Sequence, residues 1–201
     1  MAKSVRIENV ILAYPHLWEK HAPPGTEQFA YRAEFILDPV KNRAACEAVE
    51  QAFHEVATEA GKGDKLQFLK SPLQDGDALN EMAQRKGKNP REEIAGKKVI
   101  RAADRNYAPA VVNRNVQPLS EANADQIFGG CVVHGFVDLY WSKNPTNPGV
   151  YVGLRGVQLV DNVNVERLSG GGMSAEQMFE KIDGPEPQQA GGGAGPAPDW
   201  M

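Results

Sequence analysis

The fold of this chain is constrained most strongly by a β-rich stretch in its last third. Two runs of alternating apolar and polar residues, Cys131 to Trp141 and Val150 to Asp161, follow the pair Gly129-Gly130. The connector between them, Ser142 to Gly149, reads Ser-Lys-Asn-Pro-Thr-Asn-Pro-Gly and is rich in turn-forming residues. Alternation on both sides of a turn predicts an antiparallel hairpin. We therefore expect a β-sheet that is built around this hairpin.

Further strands are predicted upstream of the hairpin. Val5 to Ala13 and Phe29 to Leu37 carry apolar residues with a period close to two, as buried strands do. Two shorter runs, Lys98 to Ala103 and Ala110 to Asn113, have the same character. The segment Tyr14 to Gly25 contains three prolines and predicts a loop.

One long helix is predicted, from about Val40 to Ala60. Asp38 is a good N-cap, Pro39 fits a first turn, and Gly61 is suited to end the helix. Apolar residues recur along it at helical spacing, and the opposite face carries four glutamates. Because an acidic face would not lie against a polyanion, we expect this helix to support the sheet.

The middle of the chain is polar and locally basic. In residues 61–96 the pattern predicts one short helix, Asp77 to Gln84, and an exposed insertion over the rest. Residues 84–114 contain nine Lys and Arg against three acids. Single-stranded nucleic acid is bound by cations on its phosphates and flat side chains on its bases, and this segment supplies both. The alternative is an ordinary set of solvated loop charges. The candidate residues are Lys97, Lys98, Arg101, Arg105, Tyr107 and Arg114.

A second candidate set lies on the hairpin. Tyr140 and Trp141 are adjacent, so on a strand they face opposite sides, and Tyr151 and Arg155 share one side. With Lys143 at the turn, these residues would give an aromatic and basic surface on a small open barrel. The alternative places the three rings in the core or at an edge.

A third aromatic group follows the first strand directly, in Tyr14-Pro15-His16-Leu17-Trp18. These side chains would either cap the barrel or stack on a base. The pattern alone favours the cap.

The charge of the chain is divided unevenly. Its net charge is -4, and all of it falls in residues 169–201, which hold one Lys and five acids. This segment is rich in Gly, Pro, Gln and Ala, a composition that predicts a flexible tail. We divide the chain into a domain at residues 1–168 and a tail at 169–201. Asp199 and Trp200 near its end form a candidate partner-binding tip, the alternative being a frayed end.

Several function classes lack support in the sequence. There is no phosphate-binding Gly motif, the four histidines are scattered, and no acidic cluster suggests a two-metal site. Cys46 and Cys131 have no Cys or His partner at metal-ligand spacing and are expected to be small buried thiols. No apolar run is long enough to span a membrane, and the start lacks a secretory signal. We expect no catalytic residues, metal or cofactor, no membrane association, and a cytoplasmic location.

Three stretches resemble a phage protein family first catalogued as a domain of unknown function and later assigned as single-stranded DNA-binding proteins. They are Arg6 to Pro15, Tyr31 to Phe35, and the hairpin residues between Gly129 and Val160. The likeness covers most of residues 5 to 161. It implies an OB-like barrel that coats single-stranded DNA in phage replication or recombination, and an acidic tail that recruits replication proteins. The family's usual tail ends in Phe, whereas this chain finishes Trp200-Met201.

The expected fold is mainly β with one supporting α-helix, an OB-like five-stranded barrel with insertions. The expected function is non-catalytic binding of single-stranded DNA, with replication or recombination proteins recruited through the tail, in the host cytoplasm. A phage protein–protein adaptor or assembly factor is the alternative, and a nuclease or repair deaminase is the third reading. A homo-oligomer is compatible with the sequence.

Overall fold

The computed structural model describes residues 2–142, 144 and 147–168. Within them, the α-helices are α1 (Arg43–Glu59) and α2 (Gly76–Arg85), and three short 3₁₀ helices span Gly63–Phe68, Glu92–Ile94 and Glu121–Gln126. The strands are β1 (Lys3–His21), β2 (Ala30–Leu37), β3 (Leu73–Asp75), β4 (Lys98–Asp104), β5 (Ala110–Val112), β6 (Val132–Ser142) and β7 (Gly149–Asp161). Lys143 and the predicted tail, residues 169–201, lie outside the described residues.

All seven described strands form one sheet in the order β3-β4-β2-β1-β6-β7-β5. Neighbours are antiparallel except β5 and β7, which are parallel. The long β1 joins the two halves, because residues 3–11 pair with β6 and residues 11–21 pair with β2. The mainly β class is confirmed. The five-stranded count is wrong, since the short edge strands β3 and β5 bring the total to seven. In the described part, backbone hydrogen bonds do not close this sheet into a barrel.

The strand β1 continues through the segment that was predicted to be a loop. Asn9 (φ 53°) and Tyr14 (φ 46°) lie at the shifts in its pairing with β6 and β2. Such shifts are β-bulges, where a residue leaves the ladder and the strand bends. Pro15 follows directly, and a proline is tolerated at a bulge because its missing N–H is not needed there. The predicted loop is therefore wrong for residues 14–21.

The helix α1 packs on the core side of the sheet, as predicted. Its buried residues include Val49, Phe53 and Val56. Its start differs from the prediction: the Asp38 carboxylate accepts from the N–H groups of Val40 and Lys41 in a turn that precedes the helix. The helix therefore begins at Arg43. It ends as predicted, just before Gly61 with φ 70°.

The main core lies between the sheet and α1. Phe35, Ile7 and Leu139 are among its fully buried side chains. Gly135 on β6 is needed there, because a Cβ at this position would lie 2.8 Å from the ring of Phe35 and 2.9 Å from Ile7. Burial of a side chain such as Phe35 contributes roughly 1.5–3 kcal/mol to the free energy of unfolding.

A smaller apolar cluster covers the other face of the sheet. Ala13, Ile36 and Val99 form it with Ile94, and Leu79 of α2 packs against it. Ile94 belongs to the part of the polar segment that was predicted to be an exposed insertion, and that prediction is wrong there because Ile94 is buried. Leu79 belongs to the predicted short helix, which is confirmed as α2. The few apolar residues of the segment pack on the strands, which fixes the chain before β4.

Candidate nucleic-acid interface

Two tyrosine rings lie side by side on the face of the hairpin that points away from the core. Tyr140 on β6 pairs directly with Tyr151 on β7, and their ring centroids are 6.3 Å apart with planes inclined by 27°. The ring of Tyr140 is 37% exposed. The hydroxyl of Tyr151 donates to the carbonyl oxygen of Asn147 at 2.8 Å, which holds the second ring in place. Flat, partly exposed rings in this arrangement can stack on nucleic-acid bases.

Phe136 extends the same surface. It lies four residues before Tyr140 on β6, so both side chains are on one face, and Phe136 is 45% exposed. We call Phe136, Tyr140 and Tyr151 the aromatic face. Sequence reasoning missed Phe136, although it shares the alternation of β6 with Tyr140.

Arg155 lies at the edge of the aromatic face, where β7 approaches β4. Its Nε donates to Asp138 at 2.6 Å and its Nη1 donates to Asp104 at 2.7 Å. Although burial alone would raise the pKa of Asp138, hydrogen bonds from Ser4 and Arg155 hold that pKa below its ordinary value. Since Asp104 is the last residue of β4, this contact joins two strands that share no ladder. The guanidinium is thus neutralised within the protein.

Arg105 and Tyr107 follow β4 directly and are more open. The carboxylate of Asp104 accepts from the N–H groups of Asn106 and Tyr107 at 2.8 Å each, which shapes this turn. Tyr107 is 70% exposed. Arg105 donates to the side-chain oxygen of Gln28 at 2.9 Å, and no carboxylate among the described residues lies within ion-pair distance of it.

Arg105 also lies near the aromatic face. Burial and the Asp104 carboxylate raise the pKa of the Tyr140 phenol, whereas the positive charges of Arg105 and Arg155 act to lower it. The structure therefore brings Arg105 and Arg155 together with Tyr140 and Tyr151.

The remaining predicted bases lie elsewhere and are mostly paired. Lys98 binds Asp75 at 2.9 Å, and Arg101 binds Glu34 at 2.7 Å. Arg114 lies 3.5 Å from Asp161, at the far end of β7 from Tyr151. These pairs explain why a basic run in the sequence does not become one basic surface. Lys97 directly precedes β4 and lies within electrostatic range of Asp38.

Trp141 is placed against the main core, on the opposite face of β6 from Tyr140. This is the core position that the alternative interpretation of the sequence gave to Trp141. Trp18 also packs on the core, as a cap would, whereas Tyr14 is covered by the guanidinium of Arg91 at 4.6 Å. Lys143, Asp199 and Trp200 lie outside the described residues.

The described residues contain no group of three or more His, Cys, Asp or Glu side chains that is suited to hold a metal ion. Cys131 is buried and Cys46 is half-buried; burial raises the pKa of both thiols. In the part of the chain that the structure covers, no helix has the length and apolar character needed to cross a membrane.

Comparisons with known proteins show a matching family and a shared fold. The family model described as Enterobacter phage Enc34, ssDNA-binding protein, matches residues 3–189. Protein p50 of Acyrthosiphon pisum secondary endosymbiont phage 1 is 25% identical over 185 residues, which are 92% of this chain and 97% of that protein.

Two solved structures of the single-stranded DNA-binding protein from bacteriophage Enc34 have the same fold. The structure in complex with ssDNA aligns with a TM-score of 0.66 at 20% identity, over 81% of this chain and 88% of that chain. A second structure of that protein aligns with a TM-score of 0.66 at 19% identity, over 88% and 90%. By the match of its sequence to the family model over nearly its whole length, the chain belongs to the Enc34 phage ssDNA-binding protein family.

Proposed function

We propose that this chain is a non-catalytic, phage-encoded protein that binds single-stranded DNA and protects it during replication or recombination. The observation that carries the proposal is the pair of adjacent rings, Tyr140 and Tyr151, on the face of the sheet opposite the core. Membership of the family and the shared fold support it. An unpaired strand offers base faces that a duplex hides, so this surface favours single strands.

Binding is passive in this mechanism. Bases stack on the aromatic face, and each stacked base contributes about 1–3 kcal/mol whatever its identity. Arg105 lies beside that face and supplies a phosphate contact. Tyr107, two residues later and 70% exposed, supplies a further ring. The charge of Arg155 is neutralised by Asp104 and Asp138, so this residue does not serve as a free phosphate contact. Its role is to position the edge of the face by joining β7 to β4.

The slope of log affinity against log salt reports the number of phosphates that the protein neutralises. On a single strand, each neutralised phosphate contributes about 0.7 to the slope of log affinity against log salt. Because most of the predicted bases are already paired with carboxylates, the free cations near the aromatic face set this slope. We expect weak sequence dependence, since stacking and phosphate contacts do not distinguish bases.

Partner recruitment is the second part of the proposal. Asp199 and Trp200, at the end of an acidic segment rich in Gly and Pro, are suited to bind a basic, apolar pocket on a replication or recombination protein. The protein would act in the cytoplasm of the host cell.

A titration of the full chain with oligo-dT tests the function. Intrinsic Tyr and Trp fluorescence should be quenched by single-stranded DNA at low salt, and much less by a duplex of the same length. Labelled DNA incubated with the protein and Mg²⁺ should stay intact. Absence of binding at low salt would reject the proposal in favour of the adaptor, and cleavage or base conversion would show an enzyme.

A further inference from the structure

Two arginines meet at one residue beside the aromatic face. Arg105 donates to the side-chain oxygen of Gln28 at 2.9 Å, and Arg32 on β2 donates to the main-chain oxygen of Gln28 at 2.7 Å. Among the described residues, no carboxylate lies within ion-pair distance of either guanidinium. Burial lowers the pKa of Arg32, and the positive charge of Arg105 lowers it further. Two like charges held this close are stabilised by an anion between or above them.

Two histidines lie against this pair. The rings of His16 and His21 on β1 stack with centroids 4.0 Å apart and planes inclined by 6°. His16 pairs with Arg32 across the ladder, and the Nε of Arg32 donates to the carbonyl oxygen of His21 at 3.0 Å. Two imidazoles and two guanidinium groups are thus fixed together at the β1–β2 hairpin.

The surroundings of His16 disfavour its charged form. Burial lowers its pKa, and the positive charges of His21 and Arg32 lower it further. Tyr14 and Glu93 line the same cavity as His16, but Glu93 is bound to Arg91 at 2.7 Å. Lys20, also on β1, lies over the ring of Tyr31, with its Nζ 5.6 Å from the ring centroid. A bound anion would instead favour the protonated form of His16.

We propose that His16, His21, Arg32 and Arg105 form a phosphodiester-binding site, and that its occupation by single-stranded DNA is coupled to uptake of a proton by His16. The inference rests on the proposed function and names residues beyond the aromatic face. Coupling between sites is reciprocal: if a bound phosphate favours the protonated histidine, protonation favours the bound phosphate by the same factor. Affinity should therefore rise as the pH falls through the range where imidazole titrates.

The test is a set of oligo-dT titrations of the full chain at constant ionic strength between pH 8.0 and pH 5.5. The unaltered protein should bind roughly three- to tenfold more tightly at the lower pH, tenfold being the change for one unit of pKa shift. The double variant His16→Gln/His21→Gln should lose this dependence to within about twofold. His54→Gln is the matched control, because His54 is exposed on α1, and it should keep the full dependence.

A second variant tests the site without a histidine. Arg105→Gln should lower the salt slope of binding by about 0.7, the value for one phosphate. Arg85→Gln removes an exposed charge on α2, which lies 3.6 Å from Glu81 and away from the proposed site, and should leave the slope unchanged. If the unaltered chain binds no single-stranded DNA at all, the proposed function fails. If it binds, but His16→Gln/His21→Gln keeps the pH dependence or Arg105→Gln keeps the slope, only the phosphodiester site fails.

Discussion

Arg101 and Arg105 are four residues apart in the sequence but differ in what surrounds them. Arg101, within β4, is bound to the carboxylate of Glu34 at 2.7 Å. Among the residues that the structure describes, Arg105, just after β4, binds the neutral amide of Gln28 and no carboxylate. A paired base contributes little field to its surroundings, whereas an unpaired one attracts anions. A count of basic residues in a segment therefore says less about polyanion binding than the positions of the acids that meet them.

The same contrast separates two regions of the sheet. The start and middle of β4 carry paired bases next to α2 and its neighbours, and the end of β4 carries open groups beside the aromatic face. The predictions below test whether binding follows this division, from the largest expected effect to the smallest.

The largest effect is expected from loss of the paired rings. Tyr140→Leu/Tyr151→Leu should weaken oligo-dT binding by roughly 30-fold or more, because each stacked base contributes about 1–3 kcal/mol. Isothermal titration calorimetry measures the change. Phe68→Leu is the control, since Phe68 is 78% exposed in a 3₁₀ helix of the insertion, and should bind normally. Equal loss in both variants would mean that the aromatic face has no special role.

Arg155, which is paired with two carboxylates, should contribute to the stability of the fold rather than to DNA binding. Asp138→Asn should lower the free energy of unfolding at pH 7 by about 1 kcal/mol, a value limited by solvent screening because the Arg155 side chain is 36% exposed. The folded state depresses the pKa of Asp138, so its contribution is present above the ordinary value of 3.8 and lost as the pH falls through the folded-state pKa. Urea unfolding of both proteins, followed from pH 7 downwards, should therefore show a difference that is full above pH 3.8 and shrinks as the pH is lowered below that value. A difference that does not shrink below pH 3.8 would show that the ion pair is not its source.

A smaller effect is expected from the tail. A chain that ends at Leu168 loses all of the net negative charge of the sequence, so its affinity for oligo-dT should rise about two- to fivefold at low salt. The gain should vanish at high salt, because screening removes competition between tail and phosphate. Fluorescence titration at two salt concentrations measures both. Unchanged affinity at low salt would mean that the tail serves partner proteins and does not compete with DNA.

The smallest effect is expected from a base that is already neutralised. Arg101→Gln removes the same charge as Arg105→Gln, yet it should change DNA affinity by less than about twofold, because Glu34 already offsets Arg101. A mobility-shift titration is sufficient. If both substitutions weaken binding equally, pairing with a carboxylate does not decide which bases act.

The sequence predicted the elements whose pattern is local. The hairpin of β6 and β7 follows from alternation on both sides of a turn, and the end of α1 follows from Gly61. The extension of β1 was missed because Pro15 indicates a break, and only the bulge at Tyr14 makes it compatible with a strand. The strand β3 has three residues, too few for a period to be detected.

The interface was predicted only in part, because its electrostatics depend on distant residues. Arg101 and Glu34 are 67 positions apart, and Arg155 and Asp104 are 51 apart. No spacing in the sequence indicates which base meets which acid. The sequence named Tyr140 and Tyr151 as candidates, and the structure pairs them across β6 and β7. It named His16 only within an aromatic group, because the pairing of His16 with Arg32 depends on the course of the β1–β2 hairpin.

Photo-cross-linking of the full chain to an oligonucleotide that contains 5-iododeoxyuridine, with the linked residues located by mass spectrometry, tests most directly where the strand lies. We predict cross-links at Tyr140 or Tyr151 and at Tyr107, and none at Trp141. Cross-links confined to the insertion, at Phe68 for example, with none on β6 or β7, would contradict the account.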